Sequence, residues 1–497
     1  MKNLPTILLL TSLLLGCSKN EEQAKTEPTL PPKITKFELK RDLNEDIVID
    51  VPYEIDDKQI FARVPKGTKV DNLVASFNYE GESITLNGTP QVSEQTINDF
   101  SKPLTYTVTS EGYESNEYTV ETVVFTGIPI ISIITEGNVP IDSKEDYVRA
   151  TVEQYGGVNF PSFTTTGKIR GRGNSTWYFH DKKPYQLKLD DKTSILDLPE
   201  DKKWIFLAEH SDKTLIRNKL AFEMGRISTL DYTPAGEYAE VFVNNSYVGT
   251  YNICQKVEES SNRVDLKDTG FLMEIDQLER IDDDDTFFST DKFYINIKDP
   301  DVEYYSDDYN LVSSHINNFE TALFSEDFLD PTLGYKPYVD INSFVDWYLI
   351  NEILRNPDAK SWSSIFLNYI PGEKIKMGPL WDFDLSLGNA NYDGHENSTG
   401  FWVKDNPWIK RMFNDPSFVI LVRERLQYYK SNQSDLIAFI DSNADYLKWA
   451  QQENNNKWGV IGKWIWPNVK VLSTYEAEVN YLKTYFNQRM TWLEDNI

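Results

Sequence analysis

The sequence contains two cysteines, Cys17 and Cys254, and four histidines, His180, His210, His315 and His395, in 497 residues. Two thiols build no disulfide framework and no cysteine-rich zinc site, and four scattered imidazoles build no histidine metal centre. A cation bound by this chain is therefore expected on carboxylates. Positive charge is scarce as well: 50 Lys and Arg face 78 Asp and Glu, a formal net charge of −28. That excludes a general nucleic-acid binder, which needs a basic face to neutralise phosphates. It leaves room for a local basic pocket that takes a phosphorylated ligand. No GxSxG motif occurs, so acyl hydrolysis has no support. After residue 16 no apolar run approaches the length of a membrane-spanning helix. Aromatic residues, by contrast, are abundant. The 12 Trp, 28 Tyr and 26 Phe exclude a wholly disordered chain and, at this length, supply core material for two or three domains.

Residues 1–16 read MKNLPTILLLTSLLLG, one lysine followed by an apolar run of about ten residues, as in a secretory signal peptide. Leu14-Leu15-Gly16-Cys17 resembles the bacterial lipobox. The resemblance implies cleavage before Cys17, lipid on its sulfur, and a membrane anchor outside the cytoplasm. Residues 17–33 are charged and Pro-rich and read as a lipidated flexible tether. Their acidic start is similar to the surface-export signals of some Gram-negative lipoproteins. The expected location is the outer membrane, on its periplasmic face or at the cell surface.

Residues 34–126 alternate apolar and polar positions, as in Gln59–Pro65, Leu104–Val108 and Glu117–Val120, with turn chemistry at Lys66-Gly67, Asn87-Gly88 and Glu111-Gly112. Short strands at this spacing predict an all-β sandwich, which resembles the Ig-like modules that precede catalytic or binding domains in secreted Bacteroidetes proteins. Residues 127–497 begin strand-rich, pass through a helical stretch at Asp212–Ile227 and return through a hairpin around Asn244-Asn245-Ser246. From about Asp307 they become helical, so the order predicts an α+β domain of two lobes.

Chemistry concentrates after INSFVDWYLINEILRN, residues 341–356. There Ile341, Phe344, Val345, Tyr348, Leu349 and Ile353 form one helical stripe that predicts a core-facing helix. Asn356-Pro357 ends it and places Asp358 on a loop. Two strand-like runs, Ser364–Tyr369 and Lys374–Leu380, flank a Pro-Gly turn, so the chain returns and brings Asp382 and Asp384 near Asp358. Converging carboxylates repel, so either one is protonated or a cation lies between them. Mg²⁺ suits oxygen ligands completed by substrate phosphates. The plainer alternative makes Asp358 a cap and Asp382 and Asp384 solvated turn residues. The order helix, Asp, hairpin, Asp is also that of the protein-kinase catalytic segment. Upstream, GKIRGRGNS (167–175) and KKPYQLKL (182–189) concentrate cations in an acidic chain. Alternation places Lys183 on the buried face with Tyr185, Leu187 and Leu189, aimed at a phosphate.

RGRGNSTW, KKPYQLKL, DKTLIRNKLAFEM, VFVNNSYVGTY, FLMEID and NPD…WSS…KMGPLWDFDLSLGN, in this order over roughly residues 130–430, resemble the CotH-type kinase family. The resemblance implies an atypical protein-kinase-like domain over 127–497 that moves the γ-phosphate of ATP to a Ser or Thr of a protein substrate with Mg²⁺. It implies Asp358 as catalytic base, Asp382 and Asp384 as metal acids, and Lys183, Arg172 and Asn174 at the nucleotide. Two positions depart from the pattern: Gln255 stands where relatives carry Glu, with Glu258 or Glu274 as substitutes, and Ser363 stands where kinases carry a metal-binding Asn. The residues also admit a surface binding or adhesion protein that keeps the fold without catalysis, and a metal-dependent phosphoester or glycan hydrolase. The acidic run Asp282–Asp285 reads as a solvated loop, with Ca²⁺ binding as the sharper alternative. Trp449, Trp458, Trp464 and Trp466 read as core and domain-closing surface.

Overall fold

Alternating side chains in the first hundred residues form two sheets in the computed structural model, which describes residues 30–40, 42–47, 51–65, 68–156 and 159–497. The signal-like run and Cys17 lie outside the described residues. One sheet orders β2 (Val51–Pro52), β1 (Lys33–Leu39), β5 (Leu73–Glu80) and β8 (Ile97–Asn98). The other orders β3 (Glu54–Asp56), β4 (Gln59–Pro65), β10 (Asn116–Phe125), β9 (Leu104–Thr109), β6 (Ser83–Leu86) and β7 (Thr89–Pro90). Phe37 stacks on Phe77 at 5.9 Å and meets Tyr106 edge-on at 5.4 Å, which sets the centre of this core.

The rest of the chain is mixed α/β. A closed barrel runs β11 (Ile130–Thr135), β12 (Val148–Tyr155), β13 (Phe163–Gly171), β14 (Tyr185–Thr193), β15 (Asp201–Leu207), β17 (Ser246–Gln255) and β16 (Gly236–Val243), which returns to β11. Its interior is filled by Ile133, Val152, Ile169, Leu187, Trp204, Phe206, Val241 and Tyr251. The β16–β17 turn is two residues long: Asn244 and Asn245 both take positive φ, 48° and 63°, which asparagine tolerates and a twisted hairpin requires. Ile130, Tyr155 and Phe242 pack into the N-terminal core, so the barrel and the first sheets share a contact.

A second, antiparallel sheet orders β19 (Thr286–Ser289), β20 (Tyr294–Asp299), β18 (Phe271–Asp276), β21 (Ile365–Tyr369) and β22 (Lys376–Met377). Around it pack α3 (Asp307–Phe324), α4 (Ile341–Leu354), α6 (Pro416–Ser431), α7 (Gln433–Tyr446) and α9 (Tyr475–Asn496). Four shorter helices complete the region: α1 (Ser175–Phe179) in the β13–β14 connection, α2 (Arg217–Arg226) after β15, α5 (Pro407–Met412) and α8 (Ala450–Trp458). The helix expected from Asp212 starts only at Arg217, because the Asp212 carboxylate accepts from the Thr214 and Arg217 amides and folds 212–216 into a turn. α4 is buried on every side rather than along one stripe. Of its polar residues, Asp346 accepts from Arg425 Nε at 2.8 Å and the Tyr429 hydroxyl at 2.8 Å, whereas the buried Tyr348 hydroxyl has no partner among the described residues. Among the described residues no helix is long and apolar enough to cross a membrane.

Candidate active site

α4 delivers the first acid. Asp340 caps its start, accepting from the amides of Asn342 and Ser343 at 3.0 and 3.2 Å. It ends at Arg355, left-handed with φ 49°. The Asn356-Pro357 step stops further helix, and Asp358 opens a single 3₁₀ turn, Asp358–Lys360. Trp402 Nε1 donates to the Pro357 carbonyl at 3.0 Å, and the Asn406 amide to that of Lys360 at 2.8 Å. The turn is thus fixed on both sides.

The hairpin β21–β22 carries the chain back. Its second strand is only Lys376–Met377, shorter than expected, paired as Leu367 with Met377 and Asn368 with Lys376. Asp382 follows in the left-handed region, φ 67°. The next residues are clamped by α2 and the turn before it: the Phe383 amide donates to Asn218 Oδ1 at 2.7 Å, and Arg217 Nε to the Ser386 carbonyl at 2.9 Å. The Asn389 amide donates to the carbonyls of Asp384 at 2.8 Å and Ser211 at 3.1 Å.

The three acids feel one another. Burial, and then the Asp382 carboxylate, push Asp358 up to about 7, against the pull of Arg280. Asp384 is held well above the usual carboxylate range by burial and by Asp382, Asp212 and Asp358, although Ser211 Oγ donates to it at 3.3 Å. The phenol of Tyr392 is raised by burial and by the same three acids. Arg172 faces them from the barrel. Its guanidinium lies 5.4 Å above the Trp381 ring, and its strongest charge partner is Asp382, with Asp384 also contributing. No hydrogen bond from that guanidinium to a described residue is present, which leaves its donors free for a ligand.

Among the described residues no three His, Cys, Asp or Glu side chains stand close enough to hold a metal ion unaided. Two carboxylates that repel each other, Asp382 and Asp384, fit the smaller protein share typical of Mg²⁺, whose shell substrate phosphates complete. The donor set suits a cation that arrives with a phosphate ligand, and it does not suit a protein-only cage.

The structure brings Asp358, Asp382, Asp384 and Arg172 together. Lys183 and Asn174 make other contacts, and neither bonds to these acids among the described residues. The expected strand face does not reach Lys183, because β14 begins at Tyr185. The Lys183 ammonium donates to the carbonyls of Trp177 and His180 at 2.7 and 2.6 Å and closes the end of α1. Asn174 is exposed and accepts from Lys144 Nζ at 3.4 Å.

Gln255 is fully engaged: Oε1 accepts from the Ala235 amide at 3.0 Å and the Tyr232 hydroxyl at 3.2 Å, and its amide donates to the Asn262 carbonyl at 3.0 Å. Glu258 is taken by Arg263, Lys203 and Lys256. Glu274 accepts from the Ser364 amide at 3.1 Å and is pushed up to about 7 by burial and Asp276. Neither acid pairs with Lys183. Ser363 Oγ is buried without a hydrogen-bond partner among the described residues. Cys254, a free thiol, is buried and pushed up to about 12. In the acidic run, Asp285 accepts from Asn296 and Lys298 at 2.5 and 2.9 Å. Trp449 and Trp464 are exposed rather than core.

Sequence reasoning passed over Lys182, Glu209 and Tyr392. Lys182 is wholly buried, donates to the Thr250 carbonyl and lies 4.5 Å above the Tyr251 ring. Burial pulls it down to about 7 while Glu209 and Glu240 oppose that shift. Glu209 is raised by burial and by Asp212 and Asp384, and its Oε2 has no hydrogen-bond partner among the described residues. The only sequence signal was the polar run Glu209–Asp212 wedged between a buried strand and a buried helix.

A family model described as CotH kinase protein matches residues 169–493, and one described as SGBP, N-terminal matches residues 34–122. No curated protein matches. A solved Bacteroides thetaiotaomicron structure, described as a candidate glycoside hydrolase, is 13% identical, with 58% of this chain and 89% of that chain covered at a TM-score of 0.17. A score that low establishes no common fold.

Proposed function

The chain belongs to the CotH kinase protein family through residues 169–493, and on that premise we propose that it transfers the γ-phosphate of ATP to a Ser or Thr hydroxyl of a protein substrate. In this reading the barrel is the small lobe and the sheet-and-helix region the large lobe of an atypical protein-kinase-like domain. The N-terminal sheets are an Ig-like spacer, and a lipid on Cys17 ties the protein to the outer membrane, outside the cytoplasm. The observation that carries the proposal is the pair of buried acids Asp358 and Asp384, both held above the usual carboxylate range beside the Asp382 carboxylate, opposite a guanidinium with free donors, that of Arg172.

Asp382 and Asp384 would hold a magnesium ion, which would neutralise the charge of the nucleotide phosphates when bound. Arg172 donates to the phosphate oxygens. Asp358 accepts the proton of the substrate hydroxyl as that oxygen attacks the γ-phosphorus, whose bond to the β–γ bridging oxygen breaks to release ADP. After burial, the Asp382 carboxylate is the strongest influence raising Asp358.

Arg172 and Lys183 separate the reading from its rivals. Arg172→Met is expected to weaken Mg·ATP binding by about 10–100-fold, the worth of one charged hydrogen bond at about 1.5–3 kcal/mol. Lys183→Met, with two of the three ammonium donors already given to carbonyls, is expected to change it by less than about threefold. Titration calorimetry on protein lacking residues 1–17 reads both. A larger loss in Lys183→Met than in Arg172→Met contradicts this assignment of cations, and no Mg·ATP binding by the unaltered protein favours a binding or adhesion protein.

A further inference from the structure

In this acidic chain, five cations stand in one cross-strand row on the outer wall of the barrel. Arg149 of β12 pairs in register with Lys168 of β13, Lys168 with Lys188 of β14, and Lys188 with Lys203 of β15. On β17, Gln255 is opposite Trp204, so Lys256 continues the row beside Lys203. Arg149, Lys168, Lys188 and Lys203 point outward, because the adjoining Ala150, Ile169, Leu187 and Trp204 fill the barrel interior, and Lys256, three residues after the inward Ile253, falls on the same outer side.

Like charges directly opposite one another destabilise a sheet, and the acids nearby relieve only part of this row. Arg149 makes a two-point pair with Asp190 at 2.7 and 2.9 Å. Lys203 and Lys256 share Glu258, with Asp299 also near both. The central pair is different. Lys168 lies 4.7 Å above the Tyr147 ring with Arg170 on the same ring at 4.8 Å, and neither Lys168 nor Lys188 has an ion pair among the described residues. Both are half-buried and face solvent. At about 4.8 Å between strands the row is roughly 19 Å long. A line along β13 leads from the row toward the acids: Lys168 and Arg170 share the outer side of the strand, and Arg172, just past its end, is at most roughly 13 Å from Lys168 along the chain.

We propose that the row centred on Lys168 and Lys188 docks an acidic segment of the protein substrate, placed about four or more residues from the hydroxyl that is phosphorylated. The inference rests on the kinase reading for the word substrate, and on the row alone for the acidic partner. An extended segment rises about 3.3 Å per residue, so four residues cover the distance from the row to Arg172. The unpaired lysines then find the carboxylates that the barrel itself does not supply.

The test is binding of a fluorescein-labelled octaglutamate peptide to nucleotide-free protein lacking residues 1–17, by anisotropy, with octaglutamine and polygalacturonate as comparisons. Octaglutamate is expected to bind at least tenfold tighter than octaglutamine, and Lys168→Glu/Lys188→Glu to lose at least tenfold of that affinity. Lys168→Gln/Lys188→Gln, which only removes charge, is expected to lose part of it. Unfolding of both variants, followed by tryptophan fluorescence, is expected to be unchanged or shifted to higher denaturant, since the row loses self-repulsion. No preference for octaglutamate, or equal affinity in both double variants, overturns the proposal. Equal binding of polygalacturonate, lost in the same variants, overturns the peptide and makes the row a polysaccharide surface. No octaglutamate binding by the unaltered protein, with its phosphoryl transfer intact, contradicts this inference alone. Peptide binding without any transfer contradicts the kinase reading and, with it, the acidic partner's role as substrate.

Discussion

Asp358→Asn lowers phosphoryl transfer by about 10²–10⁴-fold, the usual worth of a general base, while Mg·ATP affinity stays within about threefold. The side chain has the properties that make this contrast clean. It carries no ion pair among the described residues, opens the fixed turn after α4, and is pushed up to about 7 by burial and by Asp382. Asparagine keeps its shape and removes both its basicity and its repulsion from Asp382. The variant is therefore expected to be at least as resistant to denaturant as the parent protein. A variant that transfers phosphate at the parental rate leaves Asp358 a capping residue, and a variant that unfolds makes it structural.

Arg489→Met destabilises the helical region by about 3–5 kcal/mol, the cost of leaving one half of a buried ion pair. Arg489 on α9 and Glu352 on α4 are both fully buried and in direct contact. Arg489 Nε donates to the Glu352 carbonyl at 3.0 Å, and the Glu352 carboxylate also accepts from the amides of Trp402 and Lys404 at 2.9 and 2.7 Å. Losing the guanidinium strands a carboxylate six residues before Asp358, so the turn that carries the base is expected to loosen with it. Glu352→Met/Arg489→Met should be less destabilised than the sum of the two single changes, as in a double-mutant cycle. Additive effects in urea unfolding contradict the coupling.

The acid cluster was legible in the sequence because local rules converge on it. Asn356-Pro357 ends a helix, Pro371-Gly372 reverses a strand, and together they return Asp382 to the neighbourhood of Asp358. The cations were less legible. Two-residue alternation was extended two residues beyond the real start of β14 at Tyr185, so Lys183 was aimed at a phosphate when two of its three donors are given to carbonyls. Arg172 follows the last residue of β13, where no strand rule applies. Its role is read from Trp381 and the acids opposite, more than two hundred residues away. Glu209 and Tyr392 sit in loops whose placement depends on the whole fold. In the N-terminal sheets, alternation marked strands but could not order them, since the parallel pairing of β4 with β10 joins segments about sixty residues apart. The single apolar stripe on α4 understated its burial, because Asp346 and Glu352 are polar in sequence yet buried against arginines from α6 and α9.

The most direct test of the central claim compares two labels. Protein lacking residues 1–17 is incubated with Mg²⁺ and ATP carrying radiolabel at either the γ- or the α-phosphate, together with a generic protein acceptor, and covalent label on Ser or Thr is counted. The account predicts label from γ-labelled ATP, none from α-labelled ATP, and its loss in Asp358→Asn. Label from α-labelled ATP, or no label from either while Mg·ATP binds, contradicts it.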